Sequence, residues 1–293
     1  MDNKKVEELG RLKLDFSSVT CLPTEIRQLL ESDWKNPAVL DFFLEQSEVC
    51  RVLYKNPADF EMLEVAYFGK SLRGQVVSNG IDEWLRKSLS GQALRDRLKV
   101  VSAWMASLVQ SQNGHKVTIL DLGAGPGPYA FEALKGLSLA SIHWRCADID
   151  KLALETGAKR ARRLGLSDVV IFEQLDFLSS KGYPTDECQK ADFALMIGIL
   201  CGMSPEQAVG ALQKIRPHFR SGAEIMAATL LDKAFQEDPL AFRIFCNVLG
   251  WQLRPKSLLE VKEVFSAAGY RIKQVFSERD DGKGQYAIVH AVM

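Results

Sequence analysis

Between residues 119 and 134 the chain reads ILDLGAGPGPYAFEAL, an aspartate at 121 followed by glycines at 123, 125 and 127. Glycines at alternate positions serve where a backbone turns through positive φ, or where a ligand must come closer than a Cβ allows. The preceding run, KVTILDL, is apolar enough for a buried strand, and the run after it has helical spacing. The turn therefore lies where a strand passes into a helix, the place at which open α/β sheets bind ligands. Gly123, Ala124 and Gly125 would form the surface of approach, and Gly127 would open the helix. The dinucleotide fingerprint G-x-G-x-x-G sets its third glycine three positions after the second, a spacing this chain does not have. Asp121 adds a second difference. A carboxylate before the turn repels a pyrophosphate and attracts an ammonium group, directly or through water. These residues point to a small nucleotide-like ligand that carries an amine.

Other reactive side chains are scattered. Cys21, Cys50, Cys146, Cys188, Cys201 and Cys246 form no CxxC pair and have no histidine at metal-ligand spacing, so the expectation is reduced structural thiols and no metal. Cys201 could add as a thiolate to a pyrimidine ring, but a small apolar loop thiol explains it equally. His115, His143, His218 and His290 read as structural or surface residues. Arg95 and Arg97, in SGQALRDRL, could receive a carboxylate or phosphate of a second substrate, against the plainer reading of a solvated helix face. Lys159, Arg160, Arg162 and Arg163 cluster on one helix and could meet phosphates.

The elements that must position these residues follow from patterning. The chain has 293 residues, 47% apolar and 25% charged, with 37 basic residues against 37 acidic ones. That is an ordinary globular composition, with no global field to attract nucleic acid or an anionic membrane. The first 16 residues lack the apolar core of a signal peptide, and no run approaches the ~20 apolar residues of a spanning helix, so the expected location is cytoplasmic. Up to about residue 112 the apolar residues keep helical spacing, with a Gly break at SGQ. From KVTILDLG onward, short apolar runs alternate with amphipathic stretches: strands in ASIHWRCADID, DVVIFEQLDF, KADFALMIGIL and AEIMAATLL, and helices in GPYAFEALKGL, KLALETGAKRARRLGL and SPEQAVGALQKIRPHF. Such alternation predicts a mostly parallel sheet covered on both faces. DKAFQEDPLAFRIFCNVLGWQLRPKS then interrupts as a helical insertion. SLLEVKEVFSAAGY returns as a helix, and RIKQVFSERD and QYAIVHAVM, joined by DDGKG, form a hairpin whose last strand is antiparallel.

A parallel sheet closed by this hairpin, behind D-x-G-x-G-x-G, resembles the class I S-adenosylmethionine-dependent methyltransferases over roughly residues 115–293. The resemblance implies a Rossmann-like α/β fold with an all-helical N-terminal cap over 1–112, a methyltransferase domain over 113–293 and an insertion over about 232–256. It further implies S-adenosylmethionine as cofactor. Asp148, with Ile149 after it, occupies the ribose station at the end of the second strand, where Asp150 is a rival. Asp176 and Phe177 occupy the adenine station after the third strand. Gly198, at the end of DFALMIGIL, would face the sulfonium.

The segment after the fourth strand, GILCGMSPEQ, lacks [DN]-PP-[FYW], so the resemblance does not extend to adenine-N6 or glutamine methyltransferases. A helical extension plus a helical insertion is similar to the arrangement of small-molecule methyltransferases, in which they cover the acceptor. The expectation is methyl transfer to a small organic acceptor at O, N or C. Phe235, Phe242, Phe245 and Trp251 could line an apolar pocket or pack the insertion onto the core. An enzyme acting on RNA or protein, and a non-catalytic cofactor-binding protein, stand as alternatives. The acceptor, any general base and the oligomeric state are outside what the sequence reaches.

Overall fold

The computed structural model describes residues 4–57, 59–70, 80–112, 115–137, 139, 141–179, 190–281 and 284–293; Cys188 lies outside them. The backbone groups into two compact units.

The first unit takes Met1–Asp96, Leu231–Pro255 and Arg279–Gln285. Its helices are α1 (Lys4–Leu9), α2 (Thr24–Ser32), α3 (Pro37–Gln46), α4 (Glu48–Lys55), α5 (Phe60–Phe68), α6 (Gly80–Lys87) and the start of α7 (Leu89–Ser111). Local chemistry sets their ends. Asn36 accepts a hydrogen bond from the Ala38 amide at 3.1 Å ahead of Pro37, and Gly69 closes α5 with φ +65°. Asp82 of α6 accepts from the Ser47 hydroxyl and, at 2.9 Å, from the Glu48 amide, so one helix caps another. Gly91 does not break the chain as its sequence context suggests. It lies in the first turn of α7, where a Cβ would meet the carbonyl oxygens of Leu85 and Arg86. Glycine here lets two helices meet at close range.

The insertion contributes two single-turn helices, α11 (Ala234–Glu237) and α12 (Pro239–Phe242), and a π-helical stretch, Arg243–Val248. Arg243, 1% exposed, donates to the carbonyls of Leu9 at 2.7 Å, Leu12 at 3.3 Å and Leu30 at 2.9 Å. One guanidinium thus satisfies carbonyls at the ends of α1 and α2. Phe235 and Phe242 stack with centroids 4.9 Å apart, Phe242 meets Phe245 at 6.3 Å, and Phe245 meets Trp251 at 5.9 Å. These rings pack against one another within the insertion.

The second unit takes Arg97–Leu230, Lys256–Glu278 and Tyr286–Met293. It holds a seven-stranded sheet in the order β3-β2-β1-β4-β5-β7-β6. The strands are β1 (Val117–Leu122), β2 (Ile142–Asp148), β3 (Val170–Gln174), β4 (Ala191–Ile197), β5 (Phe219–Leu230), β6 (Arg271–Phe276) and β7 (Tyr286–Val292). All pairings are parallel except those of β7, which runs antiparallel to both β5 and β6. The last strand is antiparallel as the patterning predicts, but β6 forms the edge of the sheet and β7 inserts beside β5. The burial pattern explains the order, because β7 is the apolar strand of the two, with six of its seven residues buried, whereas β6 has none fully buried.

The helices of this unit are α8 (Pro128–Ala133), α9 (Lys151–Leu164), α10 (Pro205–Ile215) and α13 (Leu258–Ala267), with the rest of α7. Capping boxes start two of them, Ser204 with Gln207 and Ser257 with Glu260. The fourth strand stops earlier than its apolar run suggests, at Ile197. Gly198 takes φ +84° and residues 199–202 form a 3-10 turn. Among the described residues no helix is long and apolar enough to cross a membrane.

Candidate functional site

The site grows from the end of β1. Asp121 pairs across the sheet with Cys146 of β2 and Leu195 of β4, so it is held between two inner strands. It is 1% exposed, and its Oδ2 has no hydrogen-bond partner among the described residues. Burial pushes its carboxyl up to about 8. The Trp144 indole, short of a well-formed hydrogen bond, acts in the opposite direction, and the charge of Asp148 adds to the rise. A buried carboxyl with one open oxygen is costly unless a partner arrives.

Beyond Leu122 the chain turns through Gly123 at φ +65° and Gly127 at φ +73°, a region that side-chain-bearing residues rarely adopt. A Cβ on Gly123 would strike Ile199, and one on Gly127 would stand 3.0 Å from Phe172 and 3.2 Å from Cys146. The glycines therefore admit the protein's own side chains, a constraint the spacing did not disclose. The amides of Gly123 and Ala124 donate to Ala147 at 2.8 and 3.1 Å, which ties the turn to the end of β2.

Asp148 completes that tie. Its Oδ2 accepts from the Gly125 amide at 2.7 Å and its Oδ1 from the Asp150 amide at 2.9 Å. Each oxygen keeps a further lone pair for a hydroxyl donor. Asp150, the rival, is the N-cap of α9 and accepts from Leu152 at 2.8 Å and Ala153 at 3.3 Å. Ile149 is 64% exposed, an apolar side chain left in solvent beside this carboxylate. Asp176 is exposed and accepts from the Leu178 amide at 3.0 Å, whereas Phe177 is buried. The Ile149 carbonyl accepts from Gln174 at 3.1 Å, linking the ends of β2 and β3.

At the end of β4, the Gly198 amide donates to Ala228 at 3.1 Å. Arg97 of α7 reaches this point. A Cβ on Gly198 would lie 3.5 Å from its Nη1 and 3.9 Å from its Nη2. Arg97 is 3% exposed, donates from Nε to the Tyr129 hydroxyl at 3.0 Å and lies over the Tyr286 ring at 4.4 Å. The solvated-face reading is thus corrected for Arg97, because its side chain turns into the unit and stacks on an aromatic face. Arg95, in the helical unit, donates to the carbonyls of Ala66 at 3.2 Å and Arg86 at 2.6 Å, which is a structural role.

The loop after β4 is fastened from below. Lys256, 2% exposed, donates to Leu200 at 2.7 Å and Met203 at 2.8 Å. Cys201 accepts at Sγ from the Leu230 amide at 3.2 Å, so the packing reading of this thiol is the observed one. Burial pushes the thiols of Cys50 and Cys246 up to about 12, which suppresses thiolate chemistry there. His290 pairs with Glu224 at 2.5 Å and meets the Trp104 ring at 4.5 Å in a cleft of about 580 Å³. His143 lies opposite Thr118, near the start of β1 and away from the turn at its end. Of the basic run on α9, Arg160 lies over the Phe131 ring at 5.8 Å, and Lys159, Arg162 and Arg163 are exposed. Among the described residues no three His, Cys, Asp or Glu side chains group as a metal ligand set.

The structure thus brings Asp121, Gly123, Ala124, Gly125, Gly127 and Asp148 into one network, with Gly198 set against Arg97. Sequence reasoning missed Tyr129, Tyr286, Ile199 and Lys256. Their residue types carry no signal, since a tyrosine near a glycine turn reads like any core aromatic.

Residues 62–203 match a family model described as "Putative methyltransferase". Among solved structures, the magnesium protoporphyrin IX methyltransferase ChlM of Synechocystis PCC 6803, with SAM bound, is similar. It is 13% identical, covers 84% of this chain and 97% of its own, and has a TM-score of 0.55. The CurJ carbon methyltransferase is also 13% identical, covering 96% of this chain and 72% of its own at a TM-score of 0.55. The pyocyanin biosynthetic protein PhzM, 13% identical, covers 90% and 75% at a TM-score of 0.51. At these identities the likeness is one of fold. No curated protein matches this sequence.

Proposed function

We propose that this chain is a class I S-adenosylmethionine-dependent methyltransferase and that it uses S-adenosylmethionine to methylate a small organic acceptor. The observation that carries this reading is the pair of carboxyls around the glycine turn. One is buried with an open oxygen, at Asp121, and the other is fastened to the turn but still able to accept, at Asp148.

The residues present fit the cofactor. Asp121 would take the ammonium, an interaction strengthened by burial. Asp148 would accept from the ribose hydroxyls, and Ile149, Asp176 and Phe177 would take the adenine, the two apolar residues by contact and Asp176 through its free lone pairs. Gly123, Ala124, Gly125 and Gly127 keep the backbone low beneath it, and Gly198 leaves the end of β4 without a side chain. When bound, S-adenosylmethionine supplies an electrophilic methyl group for in-line displacement by the acceptor. The protein's part is to hold the two in line and to exclude water. No histidine stands at the turn. The small-molecule class is supported by neighbours whose names carry a porphyrin and pyocyanin biosynthesis.

Calorimetric titration with S-adenosylhomocysteine and, in parallel, NAD tests the reading. Binding of the first alone supports it. Binding of NAD, or of neither, overturns it. Methyl-labelled donor with small-molecule and RNA fractions then separates the acceptor classes.

A further inference from the structure

We infer that Trp144 is a positioning residue for Asp121, its buried indole N–H held as the donor for the ionised carboxylate, the form that takes an amine. The inference rests on the amine reading of Asp121 above and adds to it a group that acts through the carboxyl.

Three observations carry it. The first is register. On the parallel strands β1 and β2, Asp121 stands beside Cys146 and Ile119 beside Trp144. Side chains two residues apart on a strand share a face, so Trp144 lies on the face of Asp121, one strand over and about 7 Å further down. The second is a matched pair of unsatisfied atoms. Trp144 is fully buried and its Nε1 has no hydrogen-bond partner among the described residues; Asp121 is buried too, and its Oδ2 has none. A donor and an acceptor left open in one dry layer each cost free energy that a hydrogen bond between them recovers. The third is the set of neighbours. Cys146, on the same face, keeps its proton because burial pushes its thiol far up. Asp148 carries a charge of the same sign, and Glu173 is held by Arg145 at 2.8 Å. Leu195 is the β4 neighbour, and Arg97 of α7 and Tyr129 of α8, at the same end of the sheet, are bonded to each other at 3.0 Å. Of the groups that act on Asp121, the Trp144 indole is the one that favours carboxylate over acid.

In the ligand-free protein the carboxyl is protonated and the pair stays loose. When an amine docks, Asp121 gives its proton to solvent, the Trp144 N–H closes onto the carboxylate, and the ammonium neutralises the charge. Trp144 thereby sets how much free energy the ionisation of Asp121 takes from docking.

Trp144→Phe removes the N–H and leaves an aromatic ring in the core. Its affinity for S-adenosylhomocysteine is compared with that of the wild type by calorimetry as pH is raised through the titration of Asp121, about 8 in the wild type. Below that pH the variant should bind roughly tenfold or more weakly, and the pH at which its affinity levels should move up by about one unit or more. Well above it the two affinities should converge, because Asp121 is then ionised in both before the ligand arrives. A loss of equal size at every pH marks a merely structural tryptophan and overturns the inference, as does no loss at all.

The wild type supplies a second readout, which serves if Trp144→Phe does not fold. The protein has five tryptophans, and with their indoles labelled with 15N the Trp144 signal is assigned by elimination, with Phe placed in turn at Trp34, Trp84, Trp104 and Trp251. In the ligand-free protein that signal should shift with the titration of Asp121, and Asp121→Asn should remove the shift. A Trp144 signal that ignores pH overturns the pairing. Failure of the wild type to bind S-adenosylhomocysteine would remove the amine reading, a distinct result, since the ligand-free titration still decides whether the indole answers to the carboxyl.

Discussion

Asp121 is the residue with the most to gain from a ligand. Its carboxyl is raised to about 8 by burial, so in the ligand-free protein it is protonated through neutral pH. An ammonium partner favours the ionised form, and binding should therefore release a proton. Affinity for S-adenosylhomocysteine is expected to rise with pH up to about 8 and then level. Calorimetry in buffers of different ionisation heat reads the proton directly, and Asp121→Asn should abolish it. The stability sign is opposite. A carboxyl whose folded pKa is raised binds its proton more tightly folded than unfolded, so it disfavours folding as pH rises from the ordinary aspartate value of 3.8 towards about 8. Asp121→Asn should then raise the melting temperature at pH 8, by an amount corresponding to on the order of 1 kcal/mol or more, and do little at pH 4.

Asp148 carries two duties that one variant would confuse. Asp148→Ala removes acceptors for the Gly125 and Asp150 amides as well as for a ribose, and should cost about 1–3 kcal/mol in cofactor affinity together with some stability. Asp148→Asn keeps one acceptor for the turn and removes the charge. It should lose much of the affinity with most of the stability retained, read by calorimetry against urea unfolding.

At the scale of elements, the loop after β4 depends on a distant lysine. Lys256→Met leaves the buried Leu200 carbonyl and the half-buried Met203 carbonyl without that donor. The expected cost is about 1–3 kcal/mol in urea unfolding, with faster amide exchange confined to residues 199–203. The elements themselves were largely legible. Each strand of the sheet was present in the apolar runs, because period-two and continuous apolar patterns report burial directly. Their ends were less so. KADFALMIGIL reads as one strand, yet it stops at Ile197, because Gly198 at φ +84° turns the chain under Arg97. SGQ reads as a break, yet Gly91 is helical, since the glycine answers to the neighbouring helix α6 and not to its own.

For the whole molecule, cofactor binding should appear as stabilisation. A ligand that binds only the folded state adds about 2.7 kcal/mol at a hundredfold excess over its Kd. S-adenosylhomocysteine at that excess is expected to raise the melting temperature, and NAD at the same concentration to leave it unchanged. A shift with NAD alone would argue against the cofactor reading.

By itself the sequence determined the α/β class, the antiparallel last strand and the glycine turn with its carboxylates. Strand burial, turn chemistry and motif spacing are local properties, written within a few residues. Only the tertiary structure decided that β7 inserts beside β5, that Asp150 caps α9 while Asp148 holds the turn, that Gly123 and Gly127 make room for Ile199 and Phe172, and that Arg97 turns inward onto Tyr286. These depend on which distant side chains meet, and an exposed and a buried arginine on a helix are written with the same letter.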